Sequence, residues 1–205
     1  MKYTNINTCR HCSNELKIVF ADLGHCPPSN AYLNETDLSK PEINYPLKTM
    51  VCSSCWLVQT LDYTSDDLLF DEDYAYFSST SSSFLKHASD YVEHIENLLQ
   101  LTKESFVVEI ASNDGYLLKN FIEKEIPCLG IEPTKSTADA SRLIGINVIE
   151  DFFGEKLSKS VVSEFGYADL VIGNNVYAHV PDIKDFTNSL KVLIKGNGVI
   201  SLEFP

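Results

Sequence analysis

Apolar positions in the second half of the chain alternate between short unbroken runs and helical spacing. The runs Phe106–Ala111, Cys128–Ile131, Asn147–Ile149, Ala168–Ile172 and Val199–Phe204 read as strands, and their near-continuous apolar character suits burial on both faces. Between them, Tyr116–Lys124, Ser136–Leu143, Glu155–Phe165 and Asp182–Ile194 carry helical spacing. Strands alternating with helices predict a parallel, doubly wound α/β sheet of the Rossmann-like type. Ahead of that sheet, Phe84, Ala88, Tyr91, Val92, Ile95, Leu98 and Leu99 recur on one helical face, with Lys86, Asp90, Glu93 and Glu96 on the other. A serine at 82 or 83 is a natural N-cap for this amphipathic helix.

The first 62 residues have a different texture. Lys17–Phe20, Tyr45–Val51 and Trp56–Leu61 read as short strand segments, with a turn at Cys26–Asn30. So few apolar residues make a poor core without help. The pattern therefore divides the chain into a small domain at 1–62, a linking loop and amphipathic helix at 63–104, and an α/β domain at 105–205. The polar stretch Asp62–Asp73 lies in the link, and the α/β domain stops directly after its fifth strand, as an incomplete sheet would.

Six cysteines decide what holds the small domain together. Four form two pairs, Cys9-Arg10-His11-Cys12 and Cys52-Ser53-Ser54-Cys55, while Cys26 and Cys128 stand alone. One C-x2-C leaves a redox pair open, whereas two such knuckles supply four thiolates to one tetrahedral zinc ion. A closed four-thiolate site leaves no position for a reactive water, so this zinc is structural. Metal binding would supply the folding energy that the sparse core lacks.

Composition narrows the function classes. The 205 residues are 44% hydrophobic and 22% charged, with 16 Lys+Arg against 29 Asp+Glu and a net charge of −13. Such a balance argues against a nucleic-acid partner. No run approaches the ~20 apolar residues that span a bilayer. Behind Met1-Lys2-Tyr3 there is no apolar signal core, so the expectation is a cytoplasmic protein with no membrane partner.

Ligands of open parallel sheets sit beyond the carboxyl ends of the strands, where the strand order reverses. The first such loop reads Glu109-Ile110-Ala111-Ser112-Asn113-Asp114-Gly115. It lacks the G-x-G-x-x-G phosphate fingerprint. Glu109, Asn113 and Asp114 suit a cationic or zwitterionic ligand better, with small Ala111 and Gly115 allowing close backbone approach. Glu132 ends the second strand, where a carboxylate can accept ribose hydroxyls. Asp151 and Phe152 follow the third, offering a carboxylate and an aromatic face to an adenine, and Asn174, Asn175 and His179 follow the fourth. Singly, Glu132 also reads as a helix-start carboxylate, Asp151 as a cap, Phe152 as core and His179 as a surface residue. Together they mark a nucleoside site at successive strand ends.

The combination resembles the S-adenosylmethionine-dependent sugar C-methyltransferases that act on nucleotide-linked keto-deoxysugars. The likeness is carried by the two knuckles, Asp22-Leu23-Gly24 with Pro28 and Asn30, Tyr45-Pro46-Leu47, and Leu57-Val58-Gln59 after Cys55. It continues through Asp73-Tyr74-Ala75-Tyr76 with Ser78-Ser79, the Glu109–Gly115 loop, Gly130-Ile131-Glu132-Pro133, and Asn175-Val176 with His179-Val180. The resemblance implies zinc on Cys9, Cys12, Cys52 and Cys55. It implies S-adenosylmethionine held by Ala111–Gly115, Glu132 and the Asp151–Phe152 region, with Asn174 and Asn175 near its methionine part. Tyr76 and His179 match positions that face the sugar, and are the candidate catalytic pair for removing an α-proton and stabilising an enolate oxygen.

Members of that family extend well past this length and place a further tyrosine and a glutamate–histidine pair beyond the strand that here ends at Pro205. The expectation is therefore an amino-terminal fragment, a shortened relative completed by a missing carboxyl-terminal half, or a chain without chemistry. In the last case it would be a non-catalytic zinc- and nucleotide-binding interaction module, with the last strand as a homodimer edge. A nicotinamide oxidoreductase shares the sheet but would require the absent glycine fingerprint.

Overall fold

The amino-terminal unit is built on three antiparallel strands in the order β1-β2-β3, namely β1 (Ile18–Cys26), β2 (Tyr45–Val51) and β3 (Val58–Thr60). The computed structural model describes residues 7–29, 31–61 and 76–204. The expected polar link 62–73, the motif residues Asn30, Tyr74 and Ala75, and Pro205 lie outside the described residues. By its internal contacts the chain divides into residues 1–75 with 181–184, and residues 76–180 with 185–205.

Strand β1 runs six residues past the expected Phe20. Two register shifts against β2, between Val19 and Ala21 and between Asp22 and His25, absorb the turn-like Asp22-Leu23-Gly24, with Gly24 at φ +79°. Pairing with Tyr45 and Pro46 then resumes at Cys26 and His25. An Asp22–Lys48 ion pair at 2.9 Å spans the two strands. Among the described residues the core of this unit is small: Cys9, Leu16, Met50 and Cys52 are buried, with Cys12, Cys55, Leu57 and Leu61 packed on them. Half of those side chains are the paired cysteines themselves.

In the second unit a fully parallel sheet has the order β6-β5-β4-β7-β8. Its strands are β4 (Val107–Ile110), β5 (Cys128–Ile131), β6 (Val148–Ile149), β7 (Ala168–Asn174) and β8 (Ile194–Glu203). The helices are α1 (Ser82–Leu99), α2 (Leu118–Glu123), α3 (Lys135–Leu143), α4 (Glu155–Phe165) and α5 (Ile183–Leu193). Chain order runs outward from β4 to β6 and then restarts beside β4 at β7, so the reversal falls between β4 and β7. Every residue of β4 is buried, as its apolar run requires. Val107 joins a layer with Val92 and Ile95 of α1 and Leu118 and Phe121 of α2. Val108 and Ile110 join the opposite layer with Val161 of α4 and Phe186 and Leu190 of α5.

Helix α1 is thus a structural layer of the α/β unit, whereas the sequence pattern assigned it to the link at 63–104. Its apolar face, Ala88, Val92 and Ile95, packs where Val107, Leu170 and Ile172 would otherwise meet water. Its N-cap is Ser81, one residue earlier than expected, whose Oγ accepts from the Phe84 N–H at 3.3 Å. Helix α2 is shorter than its pattern because Gly115 and its neighbours are spent on a turn, with the Gly115 N–H donating to Ser112 O. Strand β8 starts at Ile194, straight from α5, and pairs with β7 after a register shift between Ala168 and Leu170.

Candidate functional site

Two like-built turns bring four sulfurs together. Ser13 N–H donates to Cys9 O at 2.9 Å and Trp56 N–H to Cys52 O at 3.0 Å, with Ser13 and Trp56 in the left-handed region at φ 64° and 65°. Cys9 and Cys55 Sγ lie 3.5 Å apart, as do Cys12 and Cys52 Sγ, and all four sulfurs fall within 4.8 Å of one another. Four thiolates at ~2.3 Å from a tetrahedral ion stand about 3.8 Å apart, so the constellation has zinc dimensions. The backbone N–H of Cys55, with that of Ser54, pulls the Cys52 thiol down to about 6, toward the thiolate that a metal takes. Arg10 fastens the first knuckle to β3, its N–H donating to Gln59 Oε1 at 3.0 Å and its guanidinium to Thr60 O at 3.1 Å.

The second constellation sits at the sheet reversal. Ala111, Asn113 and Gly115 all have positive φ, at 57°, 50° and 80°. At Gly115 a Cβ would stand 2.3 Å from Ile146 Cδ1 and 2.7 Å from Ser141 Oγ, so only glycine fits. Glu132 is buried and bridges two loops: Oε2 accepts the Asn113 N–H and Oε1 the Thr134 N–H, each at 2.9 Å. Since Thr134 is the N-cap residue of α3, the helix-start reading of Glu132 is realised. A carboxylate has about four lone-pair sites, which leaves acceptor capacity beyond these two bonds.

Asn113 and Asp114 also hold a segment distant in sequence. Asn113 Oδ1 accepts the Ser78 N–H at 2.9 Å, its Nδ2 donates to Tyr76 O at 3.1 Å, and Asp114 Oδ2 accepts the Ser79 N–H at 3.0 Å. These bonds bring Tyr76, half exposed, and the turn Ser78–Thr80 onto the loop. Glu109 is only 1% exposed, and among the described residues its Oε2 has no hydrogen-bond partner; the same holds for Asp114 Oδ1. Burial, reinforced by the charges of Glu132 and Asp114, pushes the Glu109 carboxyl well above the usual range. Burial and Glu109 likewise raise Tyr116, and raise Cys128 to about 12.

Asp151 Oδ1 accepts the Phe152 N–H at 2.8 Å, and both residues line an open groove of about 880 Å³ with Gly154, Glu155 and Asp185. Phe152 is 37% exposed, so the core reading does not hold; its neighbour Phe153 takes the interior position, edge-on to Phe186 at 5.1 Å. Asn174 hydrogen-bonds the Tyr116 side chain. Asn175 donates through N–H and Nδ2 to Glu203 O and Oε1, at 2.9 and 2.8 Å. Glu203 Oε2 also meets His87 Nε2 at 2.9 Å. His87 and Glu203 escaped the sequence reading because they lie 116 positions apart, on elements with no shared motif. His179 stands exposed on the turn after β7, its N–H donating to Val176 O at 2.9 Å.

A four-cysteine cluster of zinc dimensions followed by a doubly wound sheet with an acidic loop at its reversal defines a two-unit class of protein, a zinc-binding domain joined to a Rossmann-like sheet. Comparison with known proteins narrows that class. Residues 9–70 match the family model Methyltransf_13, a putative zinc binding domain. Over 200 residues the chain is 28% identical to the C-methyltransferase NovU of Streptomyces niveus, covering 98% of this chain and 47% of that protein. The first match covers the amino-terminal unit and the second nearly the whole chain, which spans about half the length of that curated relative. Solved structures with partial similarity include a SAM-dependent methyltransferase from Anabaena variabilis, with 20% identity, a TM-score of 0.47, and coverage of 57% of this chain and 50% of that one. Streptomyces venezuelae DesVI is similar at 17% identity and a TM-score of 0.47, over 58% of this chain and 52% of that chain.

Proposed function

We propose that this chain binds S-adenosylmethionine at the β4–β7 reversal and serves in methyl transfer to a carbon of a nucleotide-linked keto-deoxysugar, in the cytoplasm. The observation that supports the cofactor is the acidic interior of the site. Glu132 and Asp114 lie close enough for their charges to act on Glu109, and among the described residues the buried Glu109 Oε2 and Asp114 Oδ1 have no hydrogen-bond partner. Such a site is costly by itself and gains from a cation. A pyrophosphate would meet repulsion there, which weighs against a nicotinamide dinucleotide. The substrate assignment extends the likeness to NovU, a C-methyltransferase.

When bound, S-adenosylmethionine supplies an electrophilic methyl group on a positively charged sulfur. The chain's own residues have separate tasks. Glu132 accepts ribose hydroxyls with its remaining lone pairs, and Glu109 faces the positive charge of the cofactor. Phe152 and Asp151 offer a face and an acceptor to the adenine. His179 takes the proton from the carbon next to the sugar ketone, and the Tyr76 hydroxyl stabilises the enolate oxygen. Zinc holds the amino-terminal unit and takes no part in the reaction.

Calorimetric titration of the 205-residue chain with S-adenosylmethionine, and separately with NAD, tests this reading. Micromolar binding of the first and none of the second is the expected result. Binding of neither would overturn the cofactor assignment and leave a zinc-stabilised interaction module.

A further inference from the structure

We infer that Asn113 and Asp114 are positioning residues that strap the segment 76–80 to the cofactor loop, so that occupancy beside Glu132 is transmitted to Tyr76. The inference rests on the cofactor reading above. Its basis is an unbroken path of hydrogen bonds: Glu132 Oε2 accepts the Asn113 N–H, Asn113 Oδ1 accepts the Ser78 N–H, and Asn113 Nδ2 donates to Tyr76 O. Asp114 repeats the clamp one residue on, at Ser79. One side chain thus holds both a donor and an acceptor of the strap, while its own backbone N–H is held by the proposed ribose carboxylate.

Three features make this more than a surface contact. Ser78 is 6% exposed, so without Asn113 its N–H would be buried and unpaired. Asn113 sits at φ 50°, in the left-handed region that asparagine tolerates better than most residues, and Ala111 at φ 57° shares the strain. A loop held in that conformation is over-determined by its partners, chief among them Glu132 and the strap. Finally, the carboxyl end of the strap is anchored in the core. Immediately after Thr80 comes Ser81, the N-cap of α1, whose Ala88, Val92 and Ile95 are locked into the core. At the other end of the described segment, the Asn113–Tyr76 bond holds Tyr76 to the loop.

Coupling of this kind is reciprocal: whatever the ligand adds to the strap's stability, the strap adds to the ligand's affinity. The experiment is amide hydrogen exchange on the full chain with and without S-adenosylhomocysteine, paired with calorimetry. In the wild type, exchange at Ser78 and Ser79 should slow by about tenfold on saturation, a modest coupling. Asn113→Gly removes both side-chain bonds while relieving the left-handed strain. It should abolish that slowing and weaken the ligand by the same factor, with exchange at Val92 and Ile95 unchanged as the control for folding. Asp114→Asn, which keeps an oxygen acceptor for Ser79, should retain most of the coupling. If S-adenosylhomocysteine binds but leaves Ser78 and Ser79 unchanged, the coupling is refuted and the cofactor reading stands. If the ligand does not bind at all, the cofactor reading fails and the coupling with it.

Discussion

Replacing Glu109 by glutamine tests the acidic interior directly. In the folded chain Glu109 holds its proton to higher pH than the ordinary value of 4.5 for the unfolded chain, because burial and then Glu132 and Asp114 disfavour its charged form. Between those two pKa values the unfolded state has released a proton that the folded state keeps. The folded state therefore binds more protons, and stability falls as pH rises through that window, by up to ~1.4 kcal/mol per pH unit for one group. Glu109→Gln places a neutral amide of nearly the same shape in both states, so its stability lacks this slope. The stability difference, variant minus wild type, should climb above pH 4.5 at up to that rate and level off once the folded-state pKa is passed. Contributions from the histidines and exposed carboxylates are common to both proteins and cancel. Urea unfolding followed by circular dichroism at pH 5, 6, 7 and 8, in zinc-containing buffer, measures the difference. Parallel curves across that range would show that the carboxyl is not a proton-retaining buried acid. In the same variant, affinity for S-adenosylmethionine should fall while the stability difference rises with pH, the trade expected of a binding group kept at the expense of stability.

Three further outcomes follow from particular contacts. Cys52→Ser should release zinc and unfold the amino-terminal unit, read by metal content and by protease cleavage within residues 9–61; full zinc retention with an unchanged melt would contradict the four-sulfur site. Gly115→Ala should cost about 2–4 kcal/mol in denaturant unfolding, since it combines a strained φ with a Cβ driven into Ile146 and Ser141. Glu132→Ala should weaken S-adenosylmethionine by about 1.5–3 kcal/mol, the scale of charge-assisted hydrogen bonds, and affinity within twofold of wild type would count against the ribose assignment.

Much of this architecture is written in short-range pattern. Unbroken apolar runs became the buried strands β4 and β5 within a residue of their expected ends, because burial on both faces demands apolar side chains at every position. The two C-x2-C knuckles needed only a tight turn each, so their spacing already described the sulfur cluster. The turn at Gly115 and the strand-end position of Glu132 were likewise legible. Tertiary structure decided the rest. Strand β1 reaches Cys26 because β2 offers it partners, against a local sequence that favours a turn. Phe152 and Phe153 are chemically alike, and only the packing of Phe186 determined which of them turns inward. The serine run before α1 carries no periodicity, and its docking onto Asn113 and Asp114 joins residues 35 positions apart. His87 and Glu203 meet across a still longer span. Periodicity records which face of an element leaves water, a property each segment has by itself. The partner of a buried polar group is set by where the fold brings distant segments together, and nothing local in the chain encodes it.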